Sequence, residues 1–135
     1  MMDLEGEPLL GQEARMLSTT PLRDLAGLAR SFSYAGQAAY LALSSEQRIP
    51  PEQDGTVRFL ADSFANRAAG ILVQHYGAEI ARLAPGLTPG DPVAFTDLLD
   101  LCRLEKVAYE LIYELANRPD WAVIPLAGLR SMLRE

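Results

Sequence analysis

Apolar residues recur at three- and four-residue spacing in three long stretches of the chain, each closed by prolines and glycines. In the first stretch, Leu22, Leu25, Leu28, Ala29, Phe32, Ala35, Ala39 and Leu43 keep helical spacing. Thr20 suits an N-cap, Pro21 the first helical position, and Asp24 the first turn, near the positive end of the helix dipole. The pattern predicts a helix over residues 21–43. Ala26, Gly27, Gly36, Ala38 and Ala42 let a neighbour approach closely, so burial on more than one side is expected. Arg48, Ile49, Pro50 and Pro51 break the pattern. A second helix is predicted over 57–83, with Phe59, Leu60, Phe64, Ala68, Ile71, Leu72 and Ile80 as its apolar stripe. The loop Pro85 to Gly90 follows. A third helix is capped by Asp91, starts at Pro92 and runs to Asn117, where Pro119 stops it. Residues 121–125 are expected to be extended, and Leu126 to Leu133 to form a last helix with Arg130 and Arg134 near its negative end.

No stretch alternates with the period of two that a half-buried strand requires, and there is neither an internal repeat nor a low-complexity tract. The expected fold class is all-α: three long helices plus a short C-terminal helix. Residues 1–20 have no clear period and contain Gly6, Pro8 and Gly11; they read as a connection belonging to something larger, ahead of one incomplete helical domain over 21–135.

Charge removes several function classes. Eighteen acidic residues against 12 basic ones give a formal charge of −6, with no Lys/Arg cluster in the sequence. Nucleic acid and anionic membrane surfaces both call for concentrated positive charge, so neither is an expected partner. The single cysteine, Cys102, precludes an intrachain disulfide and reads as a packed core thiol. No apolar run approaches a membrane span, and Asp3, Glu5 and Glu7 stand where a signal peptide carries basic residues, so the expected compartment is the cytoplasm.

Two segments concentrate polar chemistry. In Asp3-Leu4-Glu5-Gly6-Glu7-Pro8 three carboxylates alternate around a glycine: either a solvated acidic terminus or a loop of oxygen ligands for a hard cation such as Mg²⁺. Further on, Lys106, Glu110, Tyr113 and Asn117 fall at i, i+4, i+7 and i+11 and share one helix face. That row is either a salt-bridged surface or a set of directional hydrogen-bonding groups for a polyhydroxylated ligand.

Three blocks, in order, resemble bacterial maltokinases. Residues 3–8 resemble their D-F-E-G-E-P motif, with Leu4 in place of phenylalanine. Residues 21–35, Pro-Leu-Arg-Asp-Leu-Ala-Gly-Leu-Ala-Arg-Ser-Phe-Ser-Tyr-Ala, resemble P-L-R-D-V-A-G-M-L-R-S-F-x-Y-A. Glu105 to Leu126 resembles the closing E-K-x-x-Y-E-x-x-Y-E-L-x-N-R-P-D-W-x-x-I-P-L block. The resemblance implies the C-terminal helical part of a kinase-like C-lobe, related to aminoglycoside phosphotransferases, from an enzyme that phosphorylates maltose at its anomeric hydroxyl for α-glucan and trehalose metabolism. It implies ATP and Mg²⁺ as cofactors of the full-length family, with Asp3 as the metal ligand. Lys106, Glu110 and Tyr113 are the implied acceptor-site residues for maltose or a related α-glucoside. Asn117, Arg118 and Trp121 are expected to pack and to close the helix end, and Arg23 and Asp24 to form a cap and an ion pair that supports the metal loop.

The family's H-G-D-x-H-x-G-Q catalytic loop and its phosphate-binding lysine are not among these 135 residues. The chain alone is therefore expected to be inert, with a separate N-terminal kinase chain or trehalose synthase as implied partners. A non-catalytic helical sugar-binding or interaction module is the competing expectation. If a lobe is missing, the helix that packs on it should expose apolar surface and cause association.

Overall fold

A computed structural model describes residues 19–133. The chain is all-α: α1 (Leu22–Ser45), a 3₁₀ turn (Pro51–Gln53), α2 (Asp54–Leu83), α3 (Pro92–Asn117), a second 3₁₀ turn (Pro119–Ala122) and α4 (Val123–Met132). There is no strand among the described residues.

The helix ends show why these segments fold as they do. Pro21 stands at the N-cap of α1 and Leu22 is the first helical residue, one position later than the sequence predicts, while Thr20 Oγ1 accepts from the Leu22 N–H at 3.3 Å. Asp91 caps α3 by accepting from the Ala94 N–H at 2.8 Å, with Pro92 at the first helical position. At the end of α1, Gln47 takes a positive φ of 54°, and the Arg48 N–H donates back to the Leu43 carbonyl at 2.9 Å, which satisfies a terminal carbonyl and turns the chain.

α1 is the shared element and packs on α2, α3 and α4. Its burial on more than one side agrees with its small residues: Leu22, Leu25, Ala26, Ala29, Arg30 and Gly36 are all buried. Leu22, Leu25 and Ala26 meet Leu99 and Cys102 of α3, with Leu72, Val73, Tyr76, Phe95 and Leu98 packed around them. Each fully buried leucine there is worth roughly 2 kcal/mol. Cys102 is a packed thiol, as expected, and burial raises its pKa.

Cross-helix pairs give the directions. Arg23 meets Glu105, Arg30 meets Glu110 and Tyr34 meets Glu114, so α1 and α3 run parallel. Tyr40 meets Asp54 while Phe32 meets Phe64, so α1 and α2 run antiparallel.

Two expectations are corrected. Residues 121–125 are not extended: Pro119 opens a 3₁₀ turn, and α4 begins at Val123 rather than Leu126. Pro125 fits because the first N–H groups of a helix have no intrahelical partner to lose. The α2 stripe is largely uncovered: Leu72 packs against the core, but Phe59, Leu60, Phe64 and Ile71 are 55–68% exposed and Ala65 is the only buried residue of the helix.

Candidate functional site

The polar chemistry of the molecule is concentrated in the seam between α1 and α3. Parallel packing at matched rise brings Arg23, Arg30 and Tyr34 of α1 opposite Glu105, Glu110 and Glu114 of α3. Arg23 Nη2 reaches Glu105 Oε1 at 2.5 Å at the half-exposed start of the seam. One turn on, Lys106 lies over Gly27, where an added methyl would meet its Cε at 3.9 Å. Its ammonium stands 5.1 Å from the centroid of the Tyr109 ring, within cation–π range.

Arg30 grips Glu110 with two nitrogens: Nη2 to Oε2 at 2.6 Å and Nε to the same oxygen at 3.2 Å. Both side chains are nearly enclosed, 9% and 13% exposed, so this ion pair feels less solvent screening than its surface counterparts. The Arg30 guanidinium also fills the space over Gly128 of α4, where an added Cβ would come within 2.4 Å of Nη1.

The far end of the seam is a closed cluster. Glu114, 2% exposed, accepts from the Tyr34 hydroxyl and from Arg118, through Nη2 at 2.7 Å and Nε at 3.0 Å. Arg118 also donates to the Tyr34 hydroxyl at 3.0 Å and stacks 4.6 Å from the Trp121 ring centroid, which in turn lies 5.9 Å from Tyr34. Burial, together with the hydrogen bond to Glu114, pushes the Tyr34 phenol up to about 12. Burial works against the Arg118 charge, but its hydrogen bond to Glu114 prevails and the pKa rises.

Of the three acceptor-site residues taken from the resemblance, Lys106 and Glu110 both lie on the α1 side of α3, Glu110 already charge-compensated by Arg30. Tyr113 is half-buried, with Arg118 5.9 Å from its ring centroid and its carbonyl accepting from Asn117 Nδ2 at 2.8 Å. Asn117, Arg118 and Trp121 close the helix end, as expected. Arg23 pairs with Glu105, and Asp24 sits exposed in the first turn of α1. Asp3 and the rest of the acidic segment lie outside the described residues. Among the described residues no group of three or more His, Cys, Asp or Glu is arranged to hold a metal ion. None of their helices is long and apolar enough to cross a membrane.

Sequence reading did not single out Glu114, although the i, i+4 spacing to Arg118 was visible. It also missed an open hollow of about 750 Å³ beside the seam, between α1, α2 and α4. Lys106, Glu110 and Tyr113 do not line that hollow, whereas Arg30 does.

No protein-family model matches the chain, and no solved structure matches it either.

Proposed function

We propose that the chain is the acceptor side of a maltokinase-type sugar kinase, presenting α3 to maltose or a related α-glucoside, contributing Asp3 as one ligand to Mg²⁺, and leaving ATP and the catalytic loop to a separate catalytic portion. One observation carries this reading. Two of the blocks that resemble maltokinases, residues 21–35 and 105–126, lie some 80 residues apart, yet Arg23, Arg30 and Tyr34 of the first meet Glu105, Glu110 and Glu114 of the second. The matched residues thus form one structural unit, as expected if the motifs were inherited together. In this reading the unit fixes the pitch of α3, so that Lys106 donates to sugar hydroxyls and Tyr113 supplies a ring face and a phenol.

Calorimetric titration of the chain with maltose tests the proposal. Saturable binding is expected, weakened about tenfold in Lys106→Ala, the scale of losing a hydrogen bond from a charged donor. Equal affinity in Lys106→Ala and the parent, or no saturable binding, would remove the assignment.

A second reading, a helical interaction module that does not bind sugar, draws on the exposure of Phe59, Leu60 and Ile71 on α2 and of Leu101, Ile112 and Leu115 on α3. Self-association with no maltose response would favour it.

A further inference from the structure

The hollow between α1, α2 and α4 gathers arginines in an acidic molecule. Arg30, Arg58, Arg103 and Arg130 line it, and Asp62 is the one carboxylate residue in its wall among the described residues. Their charges are not equally available. Arg30 is claimed by Glu110, and Arg103 by Asp100 at 3.0 Å. Arg58 rests 5.9 Å from the Tyr40 ring centroid, and neither it nor Arg130 has a carboxylate partner among the described residues. Asp62 already accepts from the Gln37 amide.

We propose that this hollow binds a small phosphomonoester, its phosphate dianion held between Arg58 and Arg130 and its organic body lying on the apolar wall. Arg58 and Arg130 set two guanidinium charges against the single carboxylate of Asp62, and their planar N–H forks match phosphate oxygens in geometry. Ser33, Asn66 and Ser131 add neutral donors to the lining, and Ala65, Ile124 and Met132 give the apolar wall. A volume of about 750 Å³ suits a small organic molecule, since ligand sites commonly span roughly 300–1,000 Å³. The residues come from four separate helices, so the site exists only in the folded chain. The inference does not depend on the sugar-kinase reading, whose acceptor-site residues Lys106, Glu110 and Tyr113 lie outside the hollow.

The test uses the full chain, phenyl phosphate as probe and benzoate as a singly charged control, followed by amide chemical shifts. Phenyl phosphate is expected to saturate shifts at Ser33, Asn66 and Ser131, and benzoate to bind at least about tenfold more weakly. The double variant Arg58→Gln/Arg130→Gln, whose altered side chains are both exposed, is expected to keep its helical circular dichroism and lose at least about tenfold in affinity. Arg48→Gln/Arg82→Gln, which removes two arginines elsewhere, should leave affinity unchanged. Absence of saturation, benzoate binding equal to phenyl phosphate, or equal losses in the two double variants would overturn the proposal.

Discussion

α1 and α2 lie against each other, yet one is interior and the other a wall. α1 spends 24 residues to bury six, among them a charged arginine with its partner in place. α2 spends 30 residues and buries only Ala65, while two phenylalanines, two leucines and an isoleucine are exposed. Helical periodicity is a property of the chain alone; burial belongs to whatever covers the face. α1 has three neighbours to cover it, and α2 is covered mainly by α1.

The largest expected effect sharpens that contrast. Leu25→Ala, in the α1 core, should cost about 3 kcal/mol in urea denaturation, because it leaves a cavity that the packed helices cannot close. Phe59→Ser on α2 should stay within about 0.5 kcal/mol and reduce self-association in sedimentation velocity. A loss at Phe59 comparable to that at Leu25 would mean that α2 is covered after all.

Glycines give a smaller, two-signed version of the same experiment. A Cβ on Gly36 of α1 would sit 2.9 Å from the Ala61 backbone carbonyl oxygen, so Gly36→Ala forces the two helices apart and should cost about 2 kcal/mol. Nothing lies within 4 Å of a Cβ on Gly70 of α2, and Gly70→Ala should stabilise by about 0.5–1 kcal/mol through helix propensity alone. Thermal melts of the two variants should move in opposite directions.

How much of this was legible in the sequence depends on the reach of each interaction. The start of α3 was readable because Asp91 and Pro92 act on their own first turn. Residues 121–125 were misread because Trp-Ala-Val-Ile-Pro has strand-like composition, whereas the turn at Pro119 and the tolerance of Pro125 in a first helical turn decide the conformation. The shared face of Lys106, Glu110 and Tyr113 follows from spacing, but Arg30 as the partner of Glu110 comes from a helix 80 residues earlier and leaves no local trace. The same is true of the hollow: arginines at 30, 58, 103 and 130 have no common spacing, and only the fold gathers them.

The smallest expected effect belongs to the closed cluster of the seam. Tyr34 has its pKa raised to about 12 from 10.0, so the folded chain holds that proton more tightly than the unfolded one. The associated stability is full below pH 10 and is lost as pH rises towards 12. Tyr34→Phe should flatten that decline in denaturation measured across the interval. An unchanged slope would place the alkaline sensitivity elsewhere.

The parallel pairing of α1 with α3 also sets an order of events at the ribosome. Arg30 and Tyr34 are made about 80 residues before Glu110 and Glu114. At typical translation speeds that interval lasts on the order of ten seconds. Among the described helices, α2 alone emerges within that interval to pack on α1, and the nascent chain carries unmatched charge and bare leucines on the side that α3 will occupy. The molecule therefore comes together late, when its closing helices emerge, and the window before that moment is when a chaperone has most to shield.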